Sequence, residues 1–444
     1  MAERARLHRR IAGMLRKRLA DARFDELADP RDPRGLRWKL TTLLHTAIVG
    51  LCAGCESLAQ LEELTQRLAT PMRRWLGIAR RVPDTTLRDL LCRLSPMQLR
   101  RHLHAALLPK QSRAAIRRKA LSECALPFGV AALDGKATAV PSCDDFYAQR
   151  QTQSEGPLIG VARTVTSVLV SHPARPCLDV MPIPAATNEM GVFETALRAL
   201  CRAYHGLDLF RLVTYDAGAC SLANASLVRE LGLHYFFALK STQATLHREA
   251  ERLLSALGIE QIAAQTEDQL RGERIVRRLY LTDAMSGFDT WSHLRTVLRV
   301  ESETFDAAGR RIAHEVRYFL SSLSSARLSP EQWLRLVRLH WSVETARPIG
   351  DLGSRSVKHS LDVAFAEDDH PWIHSLPRAT VAVAILRRVA YTIMTLFRSV
   401  TQRSDSKRHA PWRQLLLDVY VTLAAANADD LFGLRRHTLP PAPA

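Results

Sequence analysis

The feature that most constrains this chain is a change of hydrophobic period near residue 120. Before it, apolar residues recur at helical spacing, as in Leu7, Ile11, Met14, Leu15 and Leu19. DPRDPRG at 29–35 breaks that first basic, amphipathic helix, because two prolines and a glycine cannot continue it. Helical patterns follow over about 38–54, 56–68, 83–94 and 95–110, with Ser57 placed to cap the second and PMRRWLG closing that unit. Arg73, Arg74, Arg80, Arg81, Arg100 and Arg101 are expected on the helix surfaces. After residue 120, β-branched runs take over: PFGVAALDG, ARTVTSVLVSH at 162–172, CLDVMPIPA at 177–185, FRLVTYD at 210–216 and HYFFALK at 234–240. Two helical patterns interrupt them, at 188–204 and at 221–231, the latter with Ser221 as its cap, while the polar run 142–157 reads as a loop. Three strands, helix, strand, helix, strand is the order of a mixed-sheet α/β layout.

Two of these runs end in aspartate, Asp134 in LDGK and Asp216 in VTYDAG. Sites in open α/β sheets form at the carboxyl ends of strands, which is where the pattern puts both. A third carboxylate, Glu344, lies on the amphipathic helix SPEQWLRLVRLHWSVET at 329–345, which opens with Ser329 as N-cap and Pro330 at the first helical position. His340 lies one turn before Glu344 and shares its face. Two strand-end aspartates and one helix glutamate can converge in such a fold. They would repel each other without a cation between them, and hard oxygen donors suit Mg²⁺ or Mn²⁺. Two-metal phosphoryl transfer uses this constellation.

Between the fifth strand and that helix the alternation lapses. A helix, HREAERLLSAL, leads into three strands, GERIVRRLYLTD, TVLRVESETFD and HEVRYFLSSL, which read as a β-rich insertion. The chain is therefore divided into a helical N-terminal domain at 1–118, expected to bind DNA, a core at 119–244 and 326–400, the insertion at 245–325, and a C-terminal helix and tail at 401–444. Helices are expected over about 375–400 and 411–426.

Charge supplies the partner. The 444 residues include 62 Lys and Arg against 45 Asp and Glu, for a net charge of +17, which favours a polyanion, nucleic acid first. The longest apolar stretch, LLHTAIVGLCAG at 43–54, is too short to cross a bilayer. MAERARLHRRIAGMLRKR has no apolar core of the kind a signal peptide needs. The expected location is the cytoplasm, on the nucleoid when bound, with no membrane partner. The eight cysteines are scattered and read as reduced thiols. Cys52-x-x-Cys55 lies in an apolar helical run with no second pair at zinc-ribbon spacing, and reads as a buried face.

Several short pieces, in order, resemble the DDE transposases of bacterial insertion sequences, in the broad insertion-sequence-four-like group. They are DPRDPRGLRW, LDGK at 133–136, TNEM at 187–190, LVTYDAG at 212–218, YFFALK at 235–240, RYFLSSL at 317–323, HWSVE at 340–344 and LDVAFAEDD at 361–369. The resemblance implies a ribonuclease-H-like mixed sheet, a β-rich insertion before the glutamate, and Asp134, Asp216 and Glu344 as a catalytic triad binding two Mg²⁺ or Mn²⁺ ions. It implies cleavage of double-stranded DNA at the element ends and strand transfer into target DNA, by a homodimer or higher oligomer. Lys136, Lys240, Trp291, Arg338, His340 and Lys358 are the candidate DNA contacts, Trp291 by stacking on an unpaired base. The chain departs from the pattern after Glu344, where Thr345 and the segment 346–360 precede LDV. Val337, His340 and Asp351 stand where relatives place Tyr, Arg and Lys, and Arg338, Arg347 or Lys358 are the candidates to supply the missing charge. Three activities fit: a transposase, a ribonuclease-H-like nuclease that cuts without joining, and a catalytically silent, transposase-derived DNA-binding protein.

Overall fold

The computed structural model describes residues 2–34, 36–107, 126–141, 145–151, 159–270, 272–341, 357–368, 372–373, 376–401, 408–432 and 434. Six helices come first: α1 (Ala2–Asp21), α2 (Leu40–Cys52), α3 (Leu58–Arg67), α4 (Thr70–Leu76), α5 (Asp84–Arg93) and α6 (Pro96–Leu107). Ser57 caps α3 by accepting from the Gln60 amide. The stretch expected to close that unit is itself the helix α4, stopped at Gly77, whose φ of 72° suits a residue without Cβ. Arg100 corrects the expectation of a surface arginine. It is buried, with Nε donating to Asp179 at 2.6 Å, and it fastens α6 to the sheet.

The strands are β1 (Val130–Pro141), β2 (Ala148–Gln151), β3 (Ile159–Leu169), β4 (Cys177–Ile183), β5 (Leu212–Tyr215), β6 (His234–Leu239), β7 (Ala264–Leu270), β8 (Glu273–Thr282), β9 (Thr296–Phe305) and β10 (Arg311–Ser321). They form one ten-stranded sheet in the order β2-β3-β1-β5-β6-β10-β9-β8-β7, with β4 also paired to β3. Only β1, β5 and β6 run parallel; the other pairs are antiparallel. The crossovers between the parallel strands carry α7 (Glu189–Ala203) and α8 (Leu222–Glu230), capped by Asn188 and Ser221. The β-rich stretch is continuous with this sheet through the β10–β6 pairing, and α9 (Ala244–Ser255) precedes it.

The structure corrects three strand readings. β1 does not stop at Asp134 but runs to Pro141, because β3 stays paired with it throughout. β2 lies inside the run read as a loop. β7, AQTEDQL, is a fourth strand where three were expected, too polar to show a strand pattern.

After α10 (Pro330–Trp341) come α11 (Val357–Phe365), α12 (Pro377–Leu396), α13 (Trp412–Ala425) and α14 (Ala428–Leu431). Residues Pro377–Ser399 form the one described helix long and apolar enough to cross a membrane, yet its apolar stretch is buried inside the protein. It packs on α2, α5, α6 and α11 and on β1, β3 and β4, and it carries two buried cations, Arg387 and Arg388. The N-terminal helices and the sheet thus share one core helix.

Candidate active site

The parallel pairing of β1 with β5 ends at Ala132 opposite Thr214. Two residues further on are Asp134, still within β1, and Asp216, the residue directly after β5. Side chains alternate along a strand, so both project toward the face that carries Ala132 and Thr214. Asp134 is therefore inside a strand, yet at the end of its parallel part. Asp216 is exposed and closes the turn at Ala217–Ala219, its Oδ1 accepting from the Gly218 amide at 2.9 Å.

The same face holds α10. Ser329 caps it as expected: its hydroxyl accepts from the Gln332 amide at 3.3 Å, and its own amide donates to the Gln332 side chain. In the last described turn, His340 Nδ1 lies 2.7 Å from the Thr214 hydroxyl, two residues before Asp216. Burial lowers the imidazole pKa to about 4, so it is neutral near pH 7. Glu344 lies outside the described residues, as does Arg347. From α11, Lys358 reaches Asp134, Nζ to Oδ2 at 2.6 Å.

A further carboxylate arrives from the opposite face. Tyr215 and Gly135 point to that side, where Phe193 of α7 packs edge-on against the Tyr215 ring. Glu189, the first residue of α7, lies against Gly135 so closely that a Cβ there would sit 1.7 Å from Glu189 Oε1. Tyr215 donates its hydroxyl to Glu189 Oε2 at 3.4 Å. A Cβ on Gly218 would meet both Asp216 Oδ1 and the Met190 methyl, so the first turn of α7 touches the Asp216 turn. Burial and then nearby Asp216 raise the Glu189 carboxyl above its usual range, while Lys358 acts the other way. The sequence reading quoted TNEM without singling out this glutamate. The signal available was an acid directly after a capping Asn, at the start of a crossover helix.

The remaining expected contacts are dispersed. Lys136 is buried, and its ammonium is held by Asp362 at 2.7 Å, Asp368 at 2.9 Å and Glu367 at 3.1 Å, so it is enclosed by carboxylates rather than open to DNA. Arg338 is tied to Asp268 of β7 at 3.1 Å. Lys240 is exposed just past the end of β6, on the edge of the sheet that carries Asp216. Trp291 is buried in the loop leading to Thr296, and the pairing of Thr296 with Ser321 and of Ser321 with Phe236 puts that loop at the opposite edge. Strand register thus separates Trp291 from the aspartates.

Residues 166–358 match the family model described as Transposase DDE domain, and residues 22–105 match the one described as DDE_Tnp_1-associated. The first of these stretches is similar to a transposase DDE domain. Asp216, Glu189, Glu344 and Lys358 fall within the range matched to the DDE domain, and Asp134 precedes it. No curated protein matches the chain. A transposase DDE domain implies a DNA substrate, and transposases of this kind normally use divalent metal ions.

The residues present fit such an ion. The donors are carboxylate oxygens, which divalent hard cations prefer, and Asp134 already takes the Lys358 ammonium as a counter-charge. Among the described residues no three His, Cys, Asp or Glu side chains are closed around one point. One oxygen of Asp134 is engaged by Lys358, and one of Asp216 accepts from the Gly218 amide. Cys52 and Cys55 do not form a metal site; both are buried, and burial raises both thiols well above their usual range.

Proposed function

We propose that the protein is a DDE transposase of a bacterial insertion sequence, in the insertion-sequence-four-like group, which cuts DNA at the element ends and joins the freed 3′ end to target DNA. The observation that carries this reading is that Asp134 and Asp216 each lie two residues beyond the last pair of β1 with β5, Ala132 with Thr214, beside the helix whose last described turn is fixed to Thr214 by His340. Glu344, four residues after His340 in the sequence, would be the third carboxylate. The strand order β4-β3-β1-β5-β6, with β1, β5 and β6 parallel and the other two antiparallel, supports a ribonuclease-H-like core.

In this reading Asp134, Asp216 and Glu344 would hold two Mg²⁺ or Mn²⁺ ions. Bound there, such ions would supply the positive charge that activates an attacking oxygen and stabilises a leaving one. His340, neutral and buried, fixes the helix rather than moving a proton. Lys240, exposed on the same edge, is positioned to meet a backbone phosphate. Lys358 lies on Asp134 and would supply the positive charge that the sequence lacks next to Glu344. Joining two element ends in one reaction calls for a homodimer or higher oligomer on DNA.

The test is metal-dependent cleavage of end-bearing duplex DNA by the intact protein and by Asp216→Asn. Cleavage that requires Mg²⁺ or Mn²⁺ and disappears in the variant supports the assignment, and joined products separate a transposase from a nuclease that only cuts. DNA binding with no cleavage by the intact protein favours the silent derivative. Undiminished cleavage by Asp216→Asn overturns the triad.

A further inference from the structure

We propose that Glu189 is an additional ligand for the cation held by Asp134 and Asp216, admitted to the site through the gap that Gly135 leaves. This rests on the metal-site reading above and extends it to a residue outside the triad.

The geometry starts with helix α7. Asn188 accepts from the Gly191 amide and fixes the start of the helix, so Glu189 occupies its first position. That start is held at the Asp216 turn, where the Met190 methyl and Asp216 Oδ1 border the same point above Gly218. From there the Glu189 side chain runs onto β1 and lies on Gly135, the residue directly after Asp134. Any side chain at position 135 would occupy the volume of this carboxylate. The glycine of LDGK and the glutamate of TNEM are therefore one arrangement: the first keeps open the space that the second fills.

What surrounds the carboxylate points the same way. Glu189 is half-buried, and its hydrogen bond from Tyr215 is long at 3.4 Å, a weak compensation for removing a carboxylate from water. Its neighbours across the strand ends are two more carboxylates. Lys358, bonded to Asp134, and Arg163 are the cations near enough to favour its charged form, which burial and Asp216 oppose. A divalent ion between Asp134 and Asp216 would draw the Glu189 carboxyl off the long Tyr215 contact, which it can leave with little loss.

The experiment is Mn²⁺ binding to the full-length protein without DNA, read from the loss of the free-ion electron paramagnetic resonance signal. Four proteins are compared: the unaltered chain, Asp216→Asn, Glu189→Gln and Gly135→Ala. The last keeps the carboxylate but displaces it, since the new methyl meets the far end of a flexible side chain, and circular dichroism checks that each variant is folded. The expected result is Mn²⁺ binding weakened by at least about tenfold in all three variants. Binding that is weak in Asp216→Asn but unaltered in Glu189→Gln overturns the role of Glu189 and leaves the metal site standing. Weakening by Gly135→Ala alone also overturns it, because the effect would then not pass through the carboxylate. Unaltered binding in Asp216→Asn overturns the underlying metal-site reading instead.

Discussion

Replacing Glu367 by glutamine should cost about 3 kcal/mol at pH 7. Glu367 is buried between Arg388, which donates to it from α12, and Lys136 of β1, whose ammonium is 3.1 Å away. Burial alone would raise its carboxyl, but Arg388, Lys136 and Arg387 together bring it down to about 2, from an ordinary value of 4.5. At about 1.4 kcal/mol for each tenfold change, that gap corresponds to about 3 kcal/mol. A second route agrees: removing one partner of a buried ion pair typically costs about 3–5 kcal/mol, because the other charge stays buried and uncompensated. The folded-state pKa is depressed, so this stabilisation is complete above about pH 4.5 and fades as pH falls toward 2. Urea unfolding followed by tryptophan fluorescence should therefore give Glu367→Gln a lower midpoint at pH 7, with the difference from the unaltered protein shrinking below pH 4. The double variant Glu367→Leu with Arg388→Met should recover much of the loss, since it removes both charges. A single variant within about 0.5 kcal/mol of the unaltered protein at pH 7, or a difference that does not change with pH, would refute the reasoning.

Other outcomes follow from the same physics. Asp179 is buried and bonded to Arg100 and, at 2.8 Å, to His104; Asp179→Ala should cost roughly 3–5 kcal/mol and speed amide hydrogen exchange in α6 before the rest of the protein, which mass spectrometry resolves. His45 and His340 are each lowered to about 4 by burial, whereas a histidine in the unfolded chain titrates near 6.5. The unfolded chain takes up these protons first, so their contribution is complete above about pH 6.5 and is lost as pH falls toward 4. The unfolding midpoint should drop across that window, and His340→Asn should flatten the drop.

Much of the fold was legible because helices announce themselves locally. The caps at Ser57, Ser221 and Ser329 sit where the sequence puts them, since a cap needs only its own first turn. Strands are less local. The Asp134–Gly135 pair carries a turn signature, yet β3 holds eight more strand positions beyond Leu133 in register and overrides it. β7 is invisible by hydrophobicity because its stability comes from pairing and from charges across to β8 and α10, such as Arg277 and Arg338 on Asp268. As an edge strand it gains from being polar, which discourages pairing with another chain.

The site divides along the same line. Asp134 and Asp216, the proposed pair, could be singled out because each sits at a recognisable boundary in the pattern, and the parallel pairing of β1 with β5 ends two residues before both. Lys136 and Trp291 could not be judged that way, since what surrounds them is supplied by segments remote in sequence. The carboxylates around Lys136 come from residues 362–368, and Trp291 is carried to the far edge by the pairing of β9 with β10. This enclosure of Lys136 has its own consequence for Asp134. Arg388 bonds both Glu367 and the Thr166 hydroxyl, and Thr166 is the β3 residue directly opposite Asp134. Lys136 is two residues further along β1 on the same face. Asp134 is thus bracketed by two members of one buried ionic network, and its position depends on helices more than two hundred residues away. In the proposed reading Asp134 would gain from such rigid support, because the error in its placement is then set by a packed core rather than by a loop.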